Sequence, residues 1–209
     1  GYFQNIMPVS GYGKLSGDIA AGDLNGDGYE DLVVPADNIT NSLDGVLNIF
    51  INNQAGKLQY SDLVPVGTKL KATRVGIGDI DADGKVDLIA AVVDSSNQYS
   101  ILAFHGLGSG RFATQGSPFA FTQPYSFQQI SNLRMLDLNN DAAPDFVISG
   151  KIAPMAGSPF NGLLAVVSMK GQFPTSAFER IQDLSNFPSS VFVSDLNRDK
   201  IPDIIAGVG

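Results

Sequence analysis

Four short segments hold most of the carboxylates in this 209-residue chain: Asp23-Leu24-Asn25-Gly26-Asp27-Gly28-Tyr29-Glu30-Asp31, Asp79-Ile80-Asp81-Ala82-Asp83-Gly84-Lys85-Val86-Asp87, Asp137-Leu138-Asn139-Asn140-Asp141-Ala142-Ala143-Pro144-Asp145 and Asp195-Leu196-Asn197-Arg198-Asp199-Lys200-Ile201-Pro202-Asp203. Positions one, five and nine are Asp in every copy and position three is Asn or Asp, so thirteen of the nineteen Asp residues lie here. Oxygens at positions one, three, five and nine, with the backbone carbonyl of position seven (Tyr29, Lys85, Ala143 or Ile201), can converge on one point. A shell of roughly six to eight hard oxygens suits Ca2+, whereas Mg2+ demands stricter octahedral geometry and retains more water. The chain has no Cys and none of the four segments contains His, which argues against zinc or copper. The expected cofactor is therefore Ca2+, up to four ions in a structural role. The formal net charge of −8 would be cancelled by four divalent ions, and carboxylates crowded this closely repel one another without a cation.

Such a site needs a turn that holds its oxygens. The first Asp residues of successive segments, at 23, 79, 137 and 195, are 56, 58 and 58 residues apart, a repeat whose period sets the architecture. Each segment is followed by a short β-branched apolar run, at 32–34, 88–93, 146–148 and 204–206, which reads as a strand buried on both faces. Strands are also expected ahead of the segments, at 19–24, 74–80, 133–138 and 190–196, so each Asp-rich segment is the turn of a hairpin. A third strand follows at 46–51, 99–104 and 163–169, and a fourth opens at Gly56-Lys57-Leu58, Gly110-Arg111-Phe112 and Gly171-Gln172-Phe173. Gly1-Tyr2-Phe3 stands at the matching place one period earlier.

Four antiparallel strands per period without a helix is the unit of a β-propeller blade. The expected fold is all-β, a single partial propeller over residues 1–209 with about four repeat units, approximately 1–55, 56–109, 110–170 and 171–209, the last incomplete. An unpaired sheet edge invites association. The chain is thus expected to belong to a larger ring of seven or eight blades, or to be completed by another chain or by self-association. The helical EF-hand loop begins in the same way but needs a bidentate Glu at position twelve. Here that position is Val34, Ala90, Ile148 or Ala206.

The D-x-[DN]-x-D-G-x-x-D segments, with the turn Phe104-His105-Gly106-Leu107-Gly108-Ser109-Gly110-Arg111-Phe112, resemble the FG-GAP/VCBS repeat family, whose calcium-binding blades build integrin α-subunit propellers and occur in many bacterial secreted proteins. The resemblance implies a propeller with calcium in the hairpin loops on one face. Ala142 and Lys200 replace the Gly that the family prefers at position six, at a cost of roughly 1–2 kcal/mol in a left-handed turn.

The remaining chemistry is sparse. The acidic balance repels nucleic acid and anionic lipid, and no apolar run approaches the roughly 20 residues of a membrane-spanning helix. His105, the only histidine, reads as an exposed residue before a Gly-rich turn, and the acids outside the loops (Asp18, Asp37, Asp44, Asp62, Asp94, Asp183 and Glu179) are isolated in sequence. Phe119, Phe121 and Tyr125 read as aromatics covering the core at a connection, and Asn38-Ile39-Thr40 is a glycosylation sequon. The expected function is a rigid, non-catalytic binding or adhesion module for a protein or carbohydrate ligand, secreted, extracellular or in the cell envelope, where calcium is abundant. The alternative is a propeller domain, scaffold or catalytic, of a secreted carbohydrate-active enzyme such as a polysaccharide lyase or glycosidase.

Overall fold

The structure is a computed structural model that describes residues 10–38, 44–118, 125–154, 158–168, 178–184, 186–199 and 201–208. Among these residues all regular structure is β, and every pairing is antiparallel. The expected strand openings at Gly1–Phe3 and Gly171–Phe173, the sequon beyond Asn38, Phe119, Phe121 and Lys200 lie outside the described residues.

The strands fall into four successive groups, with Gly106–Gly108 and Arg111–Phe112 of the second paired only to each other. The first contains β1 (Lys14–Leu15), β2 (Ala20–Gly22), β3 (Asp31–Asp37), β4 (Gly45–Asn52) and β5 (Leu58–Gly67), with β1 and β2 sharing one edge of β3. The second is built on β6 (Leu70–Gly78), β7 (Asp87–Asp94) and β8 (Tyr99–Phe104), followed by β9 (Gly106–Gly108), β10 (Arg111–Phe112) and β11 (Ser117–Pro118). The third contains β12 (Tyr125–Leu136), β13 (Asp145–Pro154), β14 (Phe160–Val166) and β15 (Phe178–Leu184), and the fourth β16 (Pro188–Ser194) and β17 (Asp203–Val208). A single pairing, Phe127 opposite Tyr99, joins the second group to the third. The Asp-rich segments connect β2 to β3, β6 to β7, β12 to β13 and β16 to β17, antiparallel partners in each case, as a hairpin turn requires.

The second group departs from the expected continuous fourth strand. Arg111–Phe112 folds back onto Gly106–Gly108, and Ser117–Pro118 takes the edge of β8. The cause is local: Gly108, Ser109 and Gly110 have φ of 84°, 55° and 70°, and consecutive left-handed residues reverse the chain within a tight turn.

Alternation along the central strands explains the stacking. Leu88, Ala90 and Val92 of β7 pack towards the first sheet with Leu24, Val33, Leu47 and Ile49. Ile89 and Ala91 point the other way, towards Phe146, Ile148 and Leu164 of the third. In β13, Val147 in turn meets Val191 of the fourth. Sheets therefore lie face to face in chain order, each central strand buried on both sides, and each large aliphatic side chain so buried contributes about 1.5–3 kcal/mol. Tyr125 joins the second of these cores and packs edge-on to Phe160 with ring centroids 6.4 Å apart, so it covers the core at the connection.

The two ends of the stack differ. On the outer face of the first sheet Val34, Ala36, Val46 and Phe50 are buried, and the Tyr12 N–H donates to Asn48 Oδ1 at 2.9 Å while Asn48 Nδ2 donates back to the Tyr12 carbonyl at 3.1 Å. On the fourth sheet Phe192 and Ile205 are 61% and 41% exposed.

Candidate metal centres

Each hairpin turn is organised by its own side chains. The carboxylate at position one accepts the N–H of position five in all four loops, Asp23 from Asp27 at 3.1 Å, Asp79 from Asp83 at 3.1 Å, Asp137 from Asp141 at 3.2 Å and Asp195 from Asp199 at 3.1 Å. Position three accepts the same N–H through Asn25, Asp81, Asn139 and Asn197 at 2.9, 3.1, 3.0 and 2.8 Å. Position five accepts from position seven, Tyr29, Lys85, Ala143 or Ile201, at 2.8–2.9 Å. These bonds hold positions one, three and five together with further lone pairs to offer. In loop two, one oxygen from each of Asp79, Asp81 and Asp83 lies within 4.8 Å of the others.

The backbone must turn left-handed twice to make this net. Position six does so at Gly28, Gly84 and Ala142, with φ of 85°, 82° and 67°. Position four does so as well, at Gly26, Ala82, Asn140 and Arg198, with φ of 79°, 58°, 59° and 65°. The sequence reading placed the strain at Ala142 and Lys200 alone; position four spreads it to loop two as well, leaving loop one as the only loop with Gly at both places. A Cβ at Gly26, Gly28 or Gly84 would meet no atom within 4 Å, so the preference for Gly there is conformational.

Position nine differs from the rest. Asp31, Asp87 and Asp145 are at most 1% exposed, and each spends one oxygen on the N–H of position two: Leu24 at 2.9 Å, Ile80 at 2.9 Å and Leu138 at 2.7 Å. The other oxygen accepts an N–H at or just past the end of the third long strand, from Asn52 at 2.8 Å, Gly106 at 2.6 Å and Ser168 at 2.6 Å. Asp203 makes the first of these bonds with Leu196 at 2.8 Å. Position nine thus ties the loop to the sheet while retaining lone pairs for a cation. Burial pushes Asp31 and Asp87 above the ordinary carboxylate value, opposed by their N–H donors, whereas Asp23, fed by the N–H of Gly28, is held below it.

The residues past the third strand were not visible as partners in the sequence. They differ in type and follow position nine by 21, 19 and 23 residues, so no fixed period marks them. Their surroundings make the loops unequal. In loop one, Gln54 Nε2 donates to Asp27 Oδ2 at 3.2 Å. In loop two, His105 Nδ1 lies 3.0 Å from Asp81 Oδ2, so the histidine expected to be a plain turn residue stands beside a candidate ligand, with Asp81 and Asp87 in reach. Lys85, expected to contribute its carbonyl, also sets its Nζ 2.7 Å from Asp83 Oδ2; this pairing lowers the pKa of Asp83 and raises that of Lys85. In loop three, Asn139 Nδ2 donates to the Ser168 carbonyl at 3.1 Å.

The candidate ligands at positions one, three and five are therefore tied together in each loop, all of them offering oxygen, and His105, not a ligand candidate from the sequence, adds an imidazole beside loop two. That donor chemistry fits a hard divalent ion such as Ca2+. Three of the acids outside the loops have other tasks: Asp18 pairs with Arg134 at 2.6 Å, Asp37 with Lys71 at 3.3 Å, and Asp94 accepts the N–H groups of Ser96 and Gln98 in its own turn. Residues 23–90 and 79–148 match the FG-GAP-like repeat in two overlapping copies, which together cover more than half of the chain.

Proposed function

The chain belongs to the FG-GAP-like repeat family, and from that premise we propose that it is a Ca2+-stabilised β-propeller binding module presenting a rigid surface to a protein or carbohydrate partner outside the cell. FG-GAP repeats are commonly extracellular domains, and millimolar calcium there suits loops of this kind. The observation that carries the calcium reading is the recurrence of one side-chain to backbone net in all four loops. In each, the side-chain oxygens of positions one, three and five are tied through the N–H groups of positions five and seven at a hairpin tip, and a divalent ion would neutralise the carboxylates among them.

The propeller reading rests on the face-to-face order of the sheets. Val33, Ile89 and Val147 occupy the same repeat position, are fully buried, and belong to the core shared with the next sheet. Ile205 continues that series on the fourth sheet at 41% exposure, beside Phe192. This face is built like the preceding interfaces, and a further sheet, from more repeats or from another chain, would cover it.

Thermal unfolding in EDTA against millimolar CaCl2 tests the calcium reading. A ligand that binds only the folded state stabilises it by about 2.7 kcal/mol per site at 100 times its Kd, which for a domain of this size raises Tm by about 5–10 °C. Superimposable melting curves would overturn it.

A further inference from the structure

Among the described residues, one buried side-chain polar atom has no hydrogen-bond partner: the hydroxyl oxygen of Ser168. The residue is 0% exposed. Buried hydroxyls are nearly always partnered, and an exception calls for a physical explanation. The place of this one is specific. The Ser168 N–H donates to Asp145 Oδ1 at 2.6 Å, and its carbonyl accepts from Asn139 Nδ2 at 3.1 Å. One residue thus holds positions nine and three of loop three, and covalent geometry keeps its hydroxyl within about 4 Å of both of those main-chain atoms.

The equivalent residues of loops one and two carry no such spare oxygen. Asn52 makes the same main-chain bond to Asp31, but its Oδ1 accepts from the Gln54 N–H at 3.1 Å and its Nδ2 donates to the Glu30 carbonyl at 3.2 Å. Gly106 makes it to Asp87 and has no side chain. Loop three also has one carboxylate fewer than loop two, since Asn139 stands where Asp81 does, and it carries Ala142 at a left-handed position, φ 67°. It is the loop with a neutral oxygen to spare and a weaker set of charges to supplement.

Building on the calcium reading, we propose that the Ser168 hydroxyl is an additional oxygen ligand of the cation held by loop three. Ca2+ accepts neutral oxygens and a variable coordination number, so a hydroxyl can join three carboxylates, an amide oxygen and a carbonyl without a strict geometry. The ion supplies the electrostatic partner that no protein group provides, and Ser168 extends the site from the hairpin tip to the third strand.

The test compares the 209-residue chain with Ser168→Ala and Ser168→Thr, by melting in EDTA and by calorimetric titration with CaCl2. In EDTA, Ser168→Ala melts at or above the wild-type temperature, because the substitution removes an unsatisfied group and leaves both main-chain bonds. In the titration one class of sites weakens about tenfold, the order of loss on removing a supporting ligand, and Ser168→Thr restores it. Equal calcium affinity for Ser168→Ala and wild type overturns the assignment. So does a fall in the EDTA melting temperature with an unchanged calcium increment, which would make the hydroxyl a packing group. A wild-type chain indifferent to calcium overturns the calcium reading itself, a result separable from both.

Discussion

Loops two and three have the same backbone skeleton and different electrostatics. Both use position one to collect the N–H of position five, and both bury position nine under two backbone donors. Loop two carries four carboxylates, with Lys85 on Asp83 and His105 on Asp81. Loop three carries three carboxylates, with Asn139 where loop two has Asp81, and leans on Ser168 and a strained Ala142. The fold of the loop is therefore set by the bonds that the two share, and its appetite for a cation by what they do not. A protein cation beside a carboxylate competes with a metal ion for the same lone pairs, so Lys85 is an internal competitor at Asp83 of the more acidic loop.

The shared part should give the largest effects. Asp145→Ala and Asp87→Ala each strand two N–H groups, at about 1–3 kcal/mol apiece, and should destabilise by about 2–5 kcal/mol even in EDTA. Urea unfolding of both variants beside Asp141→Ala checks this, and an equal loss for Asp141→Ala, whose carboxylate is exposed, would erase the division between buried anchor and exposed ligand.

Backbone strain comes next. Ala142→Gly should stabilise by about 0.5–1 kcal/mol, since relief of a left-handed Cβ outweighs the greater conformational entropy that Gly gives the unfolded chain. Gly84→Ala should cost about 1 kcal/mol, because its Cβ would meet nothing and only conformation opposes it. Matching effects of one sign would remove strain as a difference between the loops.

The side-chain cations offer a smaller lever. Lys85→Met frees Asp83 and should tighten calcium at loop two about two- to fivefold, the range expected for an exposed pair. Weaker binding in that variant would mean that Lys85 supports the site. Asp83→Ala should weaken calcium binding more than His105→Ala does, since Asp83 is a ligand candidate and His105 only touches one; equal losses would move His105 into the coordination shell.

The pH dependence separates the two kinds of carboxylate. Asp31 and Asp87 are raised by burial, so in EDTA their contribution is complete below the ordinary Asp value and is lost as the pH rises through their raised values. Asp23 and Asp83 are lowered, so theirs is present above the ordinary value and is lost as the pH falls through the lowered ones. A cation favours all four ionised forms, so the calcium-induced rise in Tm should shrink as the pH is lowered from 7 through the carboxylate range. A calcium increment that is constant with pH would exclude carboxylate ligation.

Much of this arrangement was legible in the residues. The Asp period located the hairpin turns, and the β-branched runs after them located strands buried on both faces in the first three groups, whereas the run at 204–206 forms β17, which no further sheet covers among the described residues and which is half-exposed. What escaped has no fixed spacing. Asn52, Gly106 and Ser168 share a main-chain task that constrains no side-chain type. His105 meets Asp81 across 24 residues through the return of β8. Position four is left-handed at Ala82, Asn140 and Arg198, where no Gly advertised it. The second group's broken edge follows from the tight turn at Ser109, which a reading based on strand openings takes as the start of one continuous strand.

The central claim is that each Asp-rich hairpin holds one calcium ion. Equilibrium dialysis of the chain against millimolar CaCl2, with bound metal measured by atomic emission, tests it most directly. The account predicts calcium approaching four ions per chain, falling by one with Asp83→Ala. Less than one ion per chain at saturation would contradict it.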